Sequence, residues 1–148
     1  MGRIVVGVDG TVPSQRALAW AIEEAGLRSA TLEVICAYSL PAGWVGMAEA
    51  MGATVASPIT EADMADYAQG TLDAVLGGVD PGSVVVEALV RRGHPGKVLV
   101  EASDAADLLV VGGGRGEAGG LLLGSVALHC VHRAECPVVV VRGHGREG

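Results

Sequence analysis

Five short apolar runs, separated by stretches with helical spacing, recur along this chain of 148 residues. They are Ile4 to Val8, Thr31 to Ala37, Val84 to Val90, Leu108 to Val111 and Val138 to Val141. Runs that are apolar nearly throughout, and not only at alternate positions, suit strands buried on both faces. Between them the spacing changes. Leu18, Ala21, Ile22 and Ala25 fall at i, i+3, i+4 and i+7, one face of a helix. The resulting β-α-β-α-β-α-β-α-β order predicts an α/β fold: a single doubly wound, five-stranded parallel sheet with helices on both faces. Half the residues are hydrophobic and none is Phe, so the core must be built from Val, Leu, Ile and Ala.

Pro13 suits the first turn of the first helix, with Thr11 or Ser14 as its cap. A second helix is expected over about residues 60–76, with Met64, Ala68, Leu72 and Val75 inward. A third uses Val98, Leu99 and Ala102 after the Gly93-His94-Pro95 turn. A fourth begins at Gly124-Ser125 and buries Ala127, Cys130, Val131 and Ala134. Residues 39–60, with Pro41, Gly43, Gly46, Gly52 and Pro58, read as a long connection of the kind often tied to function. Residues 1–148 read as one domain, with 143–148 a frayed tail.

Charge narrows the function classes. Ten Lys and Arg against 17 Asp and Glu give a formal charge of −7, with Lys97 the sole lysine. Such a chain lacks the basic stripe of a nucleic-acid binder. No apolar run reaches the length of a membrane span, and no secretory leader is visible. A cytoplasmic location follows as an expectation, with Cys36, Cys130 and Cys136 reduced.

The chemistry-bearing segment is DLLVVGGGRGEAGGLLLGS, from Asp107 to Ser125. A buried-type strand ends at Val111 and enters a loop with six glycines between Gly112 and Gly120. The loop closes on Gly124-Ser125, where a helix starts. Glycines let a backbone approach a ligand closely, and amides at a helix N-terminus bind phosphate oxygens. The plainer alternative is a surface loop whose glycines only permit a sharp turn. No Lys follows Gly124-Ser125, so this is not a Walker loop. Asp9 ends the first strand in VGVDGT. It could accept ribose hydroxyls or help hold a metal near phosphates, or it could simply make the turn with Gly10 and cap the next helix. If the strand order reverses between the first and fourth strands, Asp9 and the Gly112 loop share one crevice. His129, Cys130, His132 and Cys136 fit a helix face and its exit better than a metal site. With no G-x-S-x-G elbow and no evident base, enzymatic function is not expected.

Taken together, IVVGVDGT with its Ala-rich helix, ALVRRGHP, DLLVVG, LLLGSV and CPVVVVR resemble the universal stress protein family over nearly the whole chain. That resemblance implies an adenine nucleotide alpha hydrolase-like sheet, often a homodimer paired through the last strand. It also implies ATP, with or without magnesium, bound through G-x-x-G, nine residues, then G-[ST]. Counted from Gly112, the loop is one residue shorter than that pattern; counted from Gly113, Gly116 fits but seven residues precede Gly124. Carried over by position, Asp9 is the ribose contact, and Val8 and Ala37 lie at adenine. Gly112, Gly116, Gly124, Ser125 and Val126 follow the phosphate track, with Val111 and Gly113 as further nucleotide-binding positions. The implied function is a nucleotide-dependent binding module or switch in the stress response. The alternative is a dimeric interaction protein of the same fold that binds no nucleotide.

Overall fold

The computed structural model describes residues 2–39, 60–114 and 124–142. Most of the long 39–60 connection, with Trp44, therefore lies outside the described residues, as do Gly116 and the 143–148 tail. Among the described residues five strands alternate with four helices in the expected order. They are β1 (Arg3–Gly7), α1 (Val12–Arg28), β2 (Thr31–Tyr38), α2 (Glu61–Gly77), β3 (Val86–Arg92), α3 (Pro95–Ser103), β4 (Leu108–Gly112), α4 (Ser125–Arg133) and β5 (Val138–Val141). All strand pairs are parallel, and their spatial order is β3-β2-β1-β4-β5. The order reverses between β1 and β4, so a crevice opens beyond the carboxyl ends of those two strands.

Each face of the sheet has its own core. Ile4, Val6, Val8, Leu32, Val34, Cys36, Leu108 and Val110 turn towards α1 and α2, meeting Leu18, Ala21 and Leu72. Val5, Ile35, Leu109 and Val111 turn the other way, towards Leu99 of α3 and Ala127 and Cys130 of α4. Successive residues of one strand thus feed opposite cores, which is why β1 and β4 are apolar throughout. Burying one such Leu or Ile contributes about 1.5–3 kcal/mol. The one-residue difference between adjacent positions also decides what each residue at the strand ends can touch.

Local signals set the helix starts. Thr11, and not Ser14, caps α1: its hydroxyl accepts from Ser14 N. Ser14 is buried and bridges the turn, accepting from Asp9 N and donating to the Thr11 carbonyl. Thr60 and Asp63 form a reciprocal capping box at the start of α2. His94 caps α3, its Nδ1 accepting from Gly96 N at 3.1 Å. Two expectations shift. β3 runs from Val86 to Arg92, two residues later than its apolar run. Val131 of α4 is exposed, because only a narrow stripe through Ala127 and Cys130 meets the sheet.

Candidate functional site

A cavity of about 510 Å³ opens beyond the ends of β1 and β4, within the range usual for small-molecule sites. Its walls sort by chemistry. One end is apolar, formed by Gly7, Ile35, Ala37, Pro95 and Leu99. The other end is backbone-rich, formed by Gly112, Gly114 and the start of α4, Gly124 to Ala127. Asp9, Thr11 and Ser14 stand at the turn from β1 into α1.

Three helices begin at this cavity, and they are not equivalent. α1 is capped by the Thr11 hydroxyl and α3 by the His94 imidazole. The N-cap of α4 is Gly124, which has no side chain to offer, and no side-chain cap bond forms there. The first intrahelical bond of α4 is Leu128 N to the Gly124 carbonyl, at 3.0 Å. The amides of Ser125, Val126 and Ala127 precede it, and the described residues supply no acceptor for them. The positive end of the α4 dipole and these donors face the cavity together, which is the arrangement an anion requires.

The glycines earn their places by close approach. A Cβ on Gly112 would lie 2.7 Å from the Pro13 carbonyl carbon and 2.9 Å from Ser14 N. Gly112 therefore lets the end of β4 pack against the first turn of α1, which keeps the cavity narrow. A Cβ on Gly124 would lie 3.1 Å from Gly114 Cα. Gly124 N also donates to the Gly113 carbonyl at 3.3 Å, so the two ends of the glycine loop meet.

The opposite end of the cavity offers backbone groups of another kind. Val8 N donates to the Ile35 carbonyl at 2.9 Å, the last bond between β1 and β2 among the described residues. Ala37, two residues further along β2, turns its N–H and C=O to the same side, where β1 has already left the sheet. One donor and one acceptor are thus presented side by side at the apolar end.

Of the sequence-derived site residues, Val8, Asp9, Ala37, Val111, Gly112, Gly124, Ser125 and Val126 all line this cavity. Gly113 does not. Its N–H is bonded to the Val141 carbonyl at 2.7 Å, and it faces β5. Gly116 lies outside the described residues. Thr11, Ser14, Pro95 and Leu99 were not singled out for the site by sequence; the first two only carried a capping signal. The Asp9 carboxylate makes the turn foreseen for it, while the cap of α1 is Thr11 and not Asp9. Its Oδ1 accepts from Thr11 N at 2.9 Å, forming the turn, while the residue lines the cavity.

Cysteine chemistry stays out of the site. Burial pushes the Cys36 thiol up, with the Asp9 carboxylate adding to the shift. Burial likewise pushes Cys130 up to about 11. Among the described residues no group of three His, Cys, Asp or Glu side chains is placed to hold a metal ion, and no helix is long and apolar enough to cross a membrane.

Comparison with known proteins agrees with this architecture. The sequence model of the universal stress protein family matches residues 1–142. A universal stress protein of Mycolicibacterium smegmatis is 33% identical over 147 residues, covering 95% of this chain and 48% of that protein. The chain thus spans about half the length of the curated relatives it matches. A universal stress protein solved in complex with cAMP is 27% identical with a TM-score of 0.69, covering 97% of this chain and 98% of its own. One from Archaeoglobus fulgidus in complex with dAMP is 25% identical with a TM-score of 0.66, covering 95% and 98%. Fold, strand order and sequence together place this chain in the universal stress protein family.

Proposed function

We propose that the chain binds an adenine nucleotide in the cavity between β1 and β4, and that ATP is its physiological ligand. The carrying observation is the uncapped start of α4, set across the cavity from Asp9. The phosphates bond to the amides of Ser125, Val126 and Ala127, with the Ser125 hydroxyl as a further donor. The ribose meets Asp9. Adenine occupies the apolar end, where the Ala37 N–H and C=O match its N1 acceptor and N6 donor. The cAMP and dAMP carried by two relatives of the same fold support an adenine nucleotide.

Asp9 is the one ionisable side chain among the described lining residues. A magnesium ion on the phosphates would therefore be held mainly by phosphate oxygens and water. The same scarcity of titratable groups favours a binding module or slow switch over a rapid ATPase, since activating water needs a positioned base. Nucleotide would act through differential affinity for two states of the chain, as a stress-response switch in the cytoplasm.

Homodimerisation through β5 fits the same reading. β5 is one edge of the sheet, and its four valines are only half-buried. An open apolar edge is a template for a second copy. The same edge supports the competing reading, an interaction protein that works through its dimer surface without nucleotide. Calorimetry separates the two. The wild type binds AMP or ATP, and Gly124→Val, which drives a side chain into Gly114, stays folded and binds neither. A wild type that binds no adenine nucleotide at millimolar concentration refutes the proposal.

A further inference from the structure

The turn between β1 and α1 holds Asp9 in one orientation through a relay of hydrogen bonds. Asp9 Oδ1 accepts twice from Thr11, from N at 2.9 Å and from Oγ1 at 2.5 Å. A carboxylate can only accept, so the Thr11 hydroxyl proton is committed to Asp9. That leaves the hydroxyl lone pairs for the helix, and Ser14 N donates to Thr11 Oγ1 at 3.4 Å. From behind, Ser14 Oγ accepts from Asp9 N at 3.2 Å and donates to the Thr11 carbonyl at 3.0 Å. Among the described residues every bond to the carboxylate falls on Oδ1, and Oδ2 keeps its acceptor capacity towards the cavity. Both Asp9 and Thr11 line the cavity, and both are exposed there.

The geometry points to Thr11 as a positioning residue that fixes the Asp9 carboxylate for a pair of ribose hydroxyls, and so sets how strongly the site prefers ribonucleotides. This role rests on the adenine-nucleotide reading above. Thr11 would then do two separable things with one hydroxyl: accept from the start of α1 and donate to Asp9. A carboxylate free to rotate would spend part of its affinity on being ordered, whereas one already held can engage the ribose in full. A simple helix cap has no such consequence. Losing a cap lowers stability but changes the affinity for a ribonucleotide and for its deoxy analogue alike.

The experiment measures affinity for AMP and for 2′,3′-dideoxyadenosine monophosphate by calorimetry. It uses the wild-type chain and the variants Asp9→Asn, Thr11→Val, Thr11→Ser and Thr11→Asp. Hydrogen bonds to a charged group predict a wild-type preference for AMP of about ten- to a hundredfold. Thr11→Val keeps the shape without the hydroxyl, and its preference should fall most of the way towards that of Asp9→Asn. Thr11→Ser should keep the wild-type preference. Thr11→Asp retains a good helix cap but sets a second carboxylate against Asp9 in place of a donor. It should lose the preference even where its melting temperature is no lower than that of Thr11→Val. A Thr11→Val or Thr11→Asp chain that discriminates like the wild type overturns the positioning role while leaving nucleotide binding intact. A wild type that binds both nucleotides equally overturns it as well. Binding of neither nucleotide by the wild type overturns the nucleotide reading together with this role.

Discussion

Replacing Gly112 by alanine should destabilise the chain although it adds a single methyl group. The methyl would lie 2.7 Å from the Pro13 carbonyl carbon, 2.9 Å from the Pro13 oxygen and 2.9 Å from Ser14 N. Non-bonded carbons rest near 3.5–4.0 Å, so the first turn of α1 must retreat by roughly 1 Å. All three obstructing atoms are backbone, and no rotamer change can clear them. Overpacking of this kind costs about 2–3 kcal/mol, which for a domain of this size lowers Tm by roughly 5–10 °C. Gly70→Ala is the matched control. Gly70 lies inside α2, where a Cβ would meet no described atom within 4 Å beyond its own turn of helix. There the methyl should stabilise the chain by about 0.5–1 kcal/mol through the helix preference for alanine. Thermal unfolding followed by circular dichroism reads both. Opposite shifts are expected, and the Gly112→Ala chain should also bind nucleotide more weakly, because the cavity walls have parted. If Gly112→Ala melts at the wild-type temperature, the claim that this glycine sets the spacing between β4 and α1 is wrong.

Other outcomes follow from the same packing. Leu99 is buried and lines the cavity, so Leu99→Ala should cost about 2–5 kcal/mol in denaturant unfolding. Burial raises Cys130 from 9.0 to about 11. The folded chain therefore disfavours the thiolate, and stability that is whole below pH 9 should fall between about pH 9 and 11, by on the order of 2 kcal/mol. Cys130→Ala should remove that part of the pH slope in urea titrations at several pH values, and a parallel slope in both chains would contradict the assignment. Arg92 and Glu61 pair at 3.2 Å on the surface, so Arg92→Ala should change stability by less than about 1 kcal/mol, a difference that salt erases.

The sheet was legible in the sequence wherever strands feed two cores at once. β1 and β4 carry apolar residues at successive positions because adjacent side chains enter opposite layers. The apolar run places β3 two residues too early because β3 is an edge strand. Its last residues, Arg91 and Arg92, pair with Ala37 and Tyr38 through the backbone while their side chains stay exposed, so no apolar signal marks the end. Helical spacing turns Val131 inward because it gives an angle but not the width of the buried stripe, and α4 meets the sheet only near its edge. In the site, the strand-end and helix-start residues Asp9, Gly124 and Ser125 could be read from sequence, since turn chemistry names them. Gly112 and Gly113 are adjacent and chemically identical, yet one faces α1 and the cavity while the other bonds to β5. Pleat direction makes that difference, and composition carries no trace of it. Pro95 and Leu99 reach the cavity only because α3 crosses the end of β1, a contact between segments some ninety residues apart.

Amide chemical shifts of the isotopically labelled chain, followed as AMP is added, test the proposed site most directly. The Ser125, Val126 and Ala127 amides should move most, joined by Ala37 at the far end of the cavity, and all should saturate on one binding curve. Unmoved amides at the start of α4, with saturable shifts elsewhere in the chain or none at all, would contradict the account.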